Sequence, residues 1–189
     1  MILLGVDPSF TRAGVTIVNT DTMEIIHDKI EGRMSKNFDN NFKESLDRCK
    51  RLSNLLKGYK VDYALSEHPF PGGISSPGLF MLDGMLMYTL YLMQTANLYI
   101  VHPSYLKHLH GKNYEKSDSI KLAKELKVIY LKHGYSFNKN KITHDESESF
   151  LFVTRLMVLL NINPSLVSEI VKLNKGFASK KEKPLFERR

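Results

Sequence analysis

The stretch "LLGVDPSFTRAGVTIV", from Leu3 to Val18, decides how the chain begins to fold. An apolar run ends at Asp7, a turn starts at Pro8, and a second, mostly apolar run follows from Arg12. Two such runs around a turn predict a β-hairpin whose first strand is buried. The next segment, "MEIIHDKI", alternates as a third strand would. We therefore expect the chain to open with an antiparallel meander of three strands.

Beyond this meander, helical patterns alternate with two further strands. Helical periodicity covers residues 38–56, and "VDYALSE" predicts a fourth strand that ends at Glu67. A turn-rich loop, an apolar segment of helical length and a fifth strand, "NLYIVHP", follow. Further helices are expected over residues 117–132, 145–160 and 165–174. This order predicts an α/β fold with a five-stranded mixed sheet flanked by helices.

The length of 189 residues suits one domain with a tail. We expect the domain to span residues 1–162. Residues 163–189 would add a C-terminal helix and a basic tail, whose low hydrophobicity predicts disorder when it is isolated.

Other features of the sequence bound the class of protein. The single cysteine, Cys49, excludes a disulfide framework and a cysteine-based zinc site within one chain. The N-terminus lacks the features of a signal peptide, and Asp83 interrupts the most apolar segment, residues 79–93. These features predict a cytoplasmic protein without a membrane span. Lysine- and asparagine-rich usage fits a phage or low-GC bacterial source, in which case a phage protein would act in the host cytoplasm.

The net charge of +7 is unevenly distributed along the chain. Residues 103–141 hold nine lysines against three acids, and residues 172–189 hold seven basic residues against two acids. The remainder is mildly acidic. Two basic segments on an acidic body indicate a polyanion bound near an acidic site, although the same charges also serve solubility.

Four carboxylates fall at informative places in this order of elements. Asp7 and Glu67 end the first and fourth strands, and neighbouring strand ends meet at one edge of a sheet. Asp145 and Glu148 are three residues apart, about 60° around a helix, so they share a face. Carboxylates gathered at short range repel each other unless a cation neutralises them. Mg²⁺, a hard cation that prefers oxygen ligands, would meet that need.

Each acid also has a structural interpretation. Asp7 before Pro8 could start a turn, and Glu67 could be an exposed residue at a strand end. Thr143 and Glu146 form a T-x-x-E capping box, and acids stabilise a helix N-terminus through its dipole. Taken locally, the segment "ITHDESESFLF" is explained by helix capping as well as by metal binding.

Several motifs resemble those of RuvC-type Holliday-junction resolvases, which have an RNase H-like fold. "LLGVDPSFTRAGVTIV" is similar to their opening hairpin, and "ALSEHPF" to their second motif, a Glu followed three residues later by a Phe. "HDESESFLF" resembles their last motif, a helix start of the H-D-x-A-D-A-L type, and "EKS" keeps a characteristic lysine. The resemblance covers residues 2–160 with the motifs in the family's order.

The resemblance implies a role for each matching residue. Asp7, Glu67, Asp145 and Glu148 would bind Mg²⁺, two ions per active site with Mn²⁺ as an alternative ion, and activate water. Lys116 matches the family's active-site lysine. The implied DNA contacts are Phe70, which would stack on a base, and Lys107, Lys112 and Lys116, which would bind phosphate.

The implied function is a homodimeric, Mg²⁺-dependent endonuclease that cleaves four-way junctions, and other branched DNA, by paired nicks that leave 5′-phosphate ends. The family dimerises through the apolar helix near residues 79–93. Two alternatives are a non-catalytic branched-DNA-binding module and an actin-like phosphotransferase, for which the chain is too short. Glu148 departs from the family's usual Asp. For His144 we expect a supporting or surface role.

Overall fold

The computed structural model describes residues 1–9, 11–33, 35–68, 77–102, 104–111, 114–178 and 182–187. The strands are β1 (Ile2–Asp7), β2 (Arg12–Asn19), β3 (Glu24–Glu31), β4 (Tyr63–Glu67), β5 (Asn97–Val101), β6 (Ser136–Phe137) and β7 (Glu182–Glu187). The helices are α1 (Phe38–Leu55), α2 (Pro77–Leu92), α3 (Ser104–His110), α4 (Lys116–Lys132), α5 (His144–Leu159) and α6 (Pro164–Leu173), with a 3₁₀ turn at Lys175–Ala178.

The strands form one mixed sheet in the order β6-β3-β2-β1-β4-β5-β7. β1, β2 and β3 make the expected antiparallel meander, and β4 and β5 continue the sheet in parallel to β1. The predicted α/β fold with five central strands is confirmed. The sheet extends beyond those five by one strand at each edge. Neither edge strand has a clear sequence pattern, because β6 has two residues and β7 lies in the basic tail.

Helices cover both faces of the sheet, so the described part of the chain has three layers. On one face, α1 and α2 pack against alternate strand residues such as Leu4 and Val6. On the other face, α3, α4, α5 and α6 pack against the opposite set, which includes Leu3 and Leu65. Side chains alternate along a strand, so Asp7 and Glu67 belong to the α5 face together with Leu3 and Leu65.

Helix α5 lies unusually close to the sheet because two glycines leave room for its backbone. A Cβ added to Gly5 would stand 2.1 Å from the carbonyl oxygen of Ser149, and one added to Gly14 would stand 1.9 Å from that of Asp145. Real Cβ atoms do not approach a carbonyl oxygen so closely. The hairpin glycines therefore set the height at which α5 crosses β1 and β2.

The C-terminal segment packs back onto the domain. Phe177 is fully buried in the core that α5 lines, and its carbonyl oxygen accepts a hydrogen bond from Arg155. Strand β7 then pairs with β5 in antiparallel fashion. Residues 182–187 of the basic tail thus form an edge strand of the folded domain, and the expected disorder of the tail in isolation stays a prediction. No helix in the described ranges has the length and apolarity that crossing a membrane requires.

Candidate active site

A cavity of about 290 Å³ opens where β1, β4, α3, α4 and α5 meet. We call it the acidic cavity. Its lining residues are Asp7, Pro8, Ser9, Glu67, Leu106, Lys107, Tyr114, Lys116, His144, Asp145 and Glu148. The four carboxylates singled out from the sequence are therefore brought together from three separate elements.

Sheet register places Asp7 beside Glu67. β1 and β4 run parallel, with Val6 paired to Ser66, so the two acids follow this pair at neighbouring strand ends. Both belong to the α5 face, because each is an even number of residues from a core residue of that face. Asp7 is only 5% exposed, although an aspartate in an ordinary, solvated environment is charged at neutral pH. The strand ends thus deliver two carboxylates to the floor of the cavity.

The start of α5 separates its acids into two roles. Asp145 and Glu148 line the acidic cavity. Glu146 is fully buried, forms an ion pair with Lys139, and accepts a 2.8 Å hydrogen bond from the backbone N–H of Thr143. The expected capping interaction is present, and it belongs to Glu146. Capping therefore fixes the rotation of the helix, while Asp145 and Glu148 project from the opposite side.

The carboxylates of the acidic cavity raise one another's pKa. Burial, followed by the nearby charges of Glu148 and Glu67, holds the pKa of Asp7 well above its usual value. Burial, followed by the charges of Glu148 and Asp83, raises the pKa of Glu67 to about 7. Crowded, desolvated carboxylates of this kind are costly to ionise without a neutralising partner.

The donor set of the cavity fits a hard divalent cation. All four acids offer carboxylate oxygens, and a cation would remove the mutual repulsion that raises the pKa of Asp7 and Glu67. Within the described residues, no group of three or more histidine, cysteine, aspartate or glutamate side chains is arranged so that it could hold a metal ion as it stands. Asp7 and Glu148 lie close enough for Glu148 to raise the pKa of Asp7.

Tyr114 is a cavity residue that the sequence did not single out. Its hydroxyl donates a hydrogen bond to Oε1 of Glu148 and lies 2.9 Å from Oγ of Ser119. Burial and the bond to Glu148 raise its pKa above the ordinary value, so the hydroxyl stays protonated. Its only local signal is an aromatic residue two positions before Lys116. The contact with Glu148 spans 34 residues and depends on the tertiary fold.

Lysines from two helices stand at the mouth of the cavity. Lys107 in α3 and Lys116 in α4 are both exposed and both line it. Two other expected DNA contacts, Phe70 and Lys112, lie outside the described residues. The structure therefore places two of the four expected contacts at the cavity.

His144 lies in the wall of the cavity. Its Nε2 is 3.1 Å from Oε1 of Glu148, without hydrogen-bond alignment, and its Nδ1 is 3.7 Å from Asp145. Its side chain is 18% exposed. The imidazole therefore adjoins both α5 carboxylates.

Two buried polar groups behind the cavity were also missed. Arg48 in α1 is buried and donates to the carbonyl oxygen of Ser9, which ties the β1–β2 turn to that helix. Asp83 in α2 is buried 2.6 Å from Nδ1 of His68, the residue after Glu67. Both groups hold the backbone next to a cavity carboxylate from the far face of the sheet.

Comparison with known proteins identifies the architecture. No family model and no curated protein matches the sequence. Among solved structures, Thermus thermophilus RuvC superposes with a TM-score of 0.60 at 13% identity, over 98% of this chain and 100% of that one. The fold is that of RuvC. A second T. thermophilus RuvC structure, in complex with Holliday junction substrate, gives a TM-score of 0.57 at 10% identity, over 98% and 99% of the two chains.

The resemblance to RuvC seen in the sequence is confirmed at the level of the fold. Fowlpox virus resolvase, in a complex with substrate Holliday junction DNA, also matches, with a TM-score of 0.49 and 16% identity over 82% of this chain and 97% of that one. Identity at these levels relates architectures, so activity has to be argued from the site itself.

Proposed function

We propose that the protein is a metal-dependent endonuclease that resolves four-way DNA junctions. The observation that carries the proposal is the acidic cavity, in which β1, β4 and α5 each contribute carboxylates and exposed lysines stand at the mouth. Structural caps and turn residues have no need to converge in this way. A cavity that gathers acids and is bordered by lysines suits a phosphodiester and the cations that accompany its cleavage.

The chemistry follows from the placement of the side chains. Asp7, Glu67, Asp145 and Glu148 would hold Mg²⁺, which when bound supplies an activated water and neutralises charge on the reacting phosphate. Lys107 and Lys116 would bind the DNA backbone and orient the scissile phosphate at the mouth. Hydrolysis would leave 5′-phosphate and 3′-hydroxyl ends.

The proposed substrate is branched DNA. A RuvC structure of the same fold is a complex with Holliday junction substrate. Lys107 in α3 and Lys116 in α4, both from the basic segment, line the cavity. Duplex arms that leave a junction present phosphates in several directions, which a basic face beside a recessed acidic cavity can bind. Four-way junctions are therefore the first substrate to test.

The proposed assembly is a homodimer through α1 and α2. Large apolar side chains on these helices are exposed in the single chain: Phe42, Leu46, Tyr88, Tyr91 and Leu92, with Tyr88 62% and Leu92 60% exposed. Exposed apolar residues concentrated on one face mark an interaction surface. A twofold dimer would present two acidic cavities to a junction of matching symmetry and make paired nicks.

A nicking assay across DNA forms tests the proposal. End-labelled four-way junctions, forks, flaps, bubbles and linear duplexes would be incubated with the protein in Mg²⁺ and in EDTA. We expect Mg²⁺-dependent nicks in junctions and little cleavage of linear duplex. Junction binding without cleavage under any divalent cation would favour a non-catalytic DNA-binding module.

A further inference from the structure

The contact between Tyr114 and Glu148 joins the segment before α4 to helix α5. Tyr114 lies immediately before α4, two residues from Lys116, and its hydroxyl donates to Glu148 across the cavity. This hydrogen bond links the segment before α4 directly to a cavity carboxylate. It therefore sets where one of the four expected metal ligands points.

The Tyr114 side chain is itself held on more than one side. Ser119, fully buried in the first turn of α4, has its Oγ 2.9 Å from the tyrosine hydroxyl. The ring of His110 stacks on the tyrosine ring, with centroids 5.0 Å apart and an interplanar angle of 17°. Because both the ring and the hydroxyl are constrained, the direction of the bond to Glu148 is set before any ligand arrives.

Such a bond has a purpose at this position because Glu148 is the longer of the two α5 acids that line the acidic cavity. A glutamate has one more rotatable bond than an aspartate, so its carboxylate samples more positions unless a partner fixes it. A bond at Oε1 restricts those rotamers and leaves the second oxygen able to bind a cation. Partners of this kind orient metal ligands in many proteins.

We propose that Tyr114 is a positioning residue that fixes Glu148 as a metal ligand. This inference rests on the proposed metal-dependent nuclease function. Loss of the hydroxyl should weaken metal binding by roughly tenfold, because removal of groups that orient metal ligands has effects of this size. Junction binding in the absence of metal should stay unchanged, since the lysines at the mouth are untouched.

The test compares Tyr114→Phe with the wild-type protein in two measurements. Isothermal titration with Mn²⁺, without DNA, gives the metal affinity directly. Single-turnover nicking as a function of Mg²⁺ gives the half-saturating metal concentration and the maximal rate. We expect about tenfold weaker Mn²⁺ binding and a similar rise in half-saturating Mg²⁺, with most of the maximal rate recovered at high Mg²⁺.

Two further variants separate positioning from general structure. Tyr130→Phe removes a fully buried tyrosine hydroxyl that bonds to Thr154, away from the cavity, and should leave metal affinity at the wild-type value. Ser119→Ala removes one of the groups that orient the Tyr114 hydroxyl and should give an intermediate loss.

The outcomes distinguish this inference from the proposed function. If the wild-type protein binds Mn²⁺ and nicks junctions, and Tyr114→Phe matches it in both affinity and metal dependence, only the role of Tyr114 is overturned. If the wild-type protein neither binds Mn²⁺ nor nicks junctions, the proposed function and this inference are both overturned.

Discussion

The carbonyl oxygen of Asp145 lies directly over Gly14, where an added Cβ would stand 1.9 Å from it. Gly14 is the cross-strand partner of Asp7 in the β1–β2 ladder. The first turn of α5 therefore packs directly on the Asp7–Gly14 pair of the β1–β2 ladder. This contact explains how a helix and a strand end, distant in sequence, bring their carboxylates into one cavity.

Substitution of Gly14 should damage both stability and activity. We expect Gly14→Ala to lower the free energy of unfolding by roughly 1–3 kcal/mol, because the methyl group forces α5 away from the sheet. Urea denaturation measures this loss, and junction nicking should fall more steeply than the folded fraction.

The matched control for Gly14 is Gly84→Ala, an exposed position in α2 where an added Cβ meets nothing within 4 Å. Alanine should be neutral there or stabilise the helix by up to about 1 kcal/mol. Equal effects of the two substitutions on stability would contradict the close packing of α5 on the sheet.

Substitution of Asp145 tests whether the α5 acids do chemistry. Asp145→Asn should lower the nicking rate by at least about a hundredfold, because it removes a charged oxygen that would bind metal at the reacting phosphate. Junction binding measured in Ca²⁺ or EDTA should be largely retained. Wild-type nicking by this variant would show that Asp145 serves only the helix.

Glu146→Gln, one position along the same turn, is the control for Asp145. Glu146→Gln keeps an oxygen for the capping hydrogen bond from Thr143 but loses the ion pair with Lys139. The change should therefore cost roughly 1–3 kcal/mol of stability and leave the rate of the folded enzyme near the wild-type value. Chemical denaturation together with nicking at low temperature separates the two effects. Inactivation of a fully folded Glu146→Gln protein would place this residue in the site.

The buried His27 should make stability depend on pH. Burial lowers its pKa from 6.5 to about 4, and its Nδ1 lies 2.9 Å from Oγ1 of Thr16, which contacts Ser149 in α5. Between pH 6.5 and 4, His27 is protonated in the unfolded chain but stays neutral in the folded protein. Stability should therefore fall as the pH falls through this window, by roughly 3 kcal/mol at most.

This prediction is checked by comparing urea unfolding of the wild type and His27→Gln from pH 7 to pH 4. Both proteins share the carboxylates of the acidic cavity, whose raised pKa values favour the folded state in acid. The difference between the two free energies thus reports on His27 alone. A difference that does not change with pH would show that folding leaves the pKa of His27 unchanged.

One charged substitution on α2 should disrupt the proposed dimer. Tyr88→Asp should raise the dimer dissociation constant by at least about tenfold, because exposed aromatic residues at the centre of an interface carry much of its binding energy. Sedimentation velocity measures the constant. Junctions cut by the variant should carry single nicks more often than paired nicks.

Val128→Glu is the control for Tyr88→Asp. Val128 is 66% exposed but lies on α4, across the sheet from α2, so a charge there should leave the assembly unchanged. A wild-type protein that is monomeric at all concentrations would contradict the proposed dimer. A dimer broken equally by both changes would place the interface elsewhere.

Much of this site could be predicted from local sequence patterns. Apolar runs that end at Asp7 and Glu67 located two strand ends, and helical spacing placed Asp145 and Glu148 on one face. Parallel strand order then brought Asp7 and Glu67 together, and the packing of α5 on the sheet added Asp145 and Glu148. The separation of Glu146 from its neighbours followed from the capping box, because a cap fixes which way the first turn faces.

The remaining features depend on tertiary contacts that leave no local signal. Tyr114 reaches Glu148 across 34 residues, and Asp83 in α2 reaches His68 on the face of the sheet opposite the acidic cavity. Strand β7 pairs with β5 although its own segment is rich in lysine and glutamate. Such contacts depend on how complete helices and strands pack against one another, so neither hydrophobic periodicity nor residue spacing predicts them.

The central claim is that the acidic cavity cleaves four-way junctions with the help of a divalent cation. Strand-resolved nicking of a four-way junction labelled on each strand in turn, with Mg²⁺ and with EDTA, tests it most directly. We expect cuts at symmetric positions in two opposed strands, with 5′-phosphate ends, in Mg²⁺ only. A protein that binds the junction tightly and leaves all four strands intact in Mg²⁺ and in Mn²⁺ would contradict the claim.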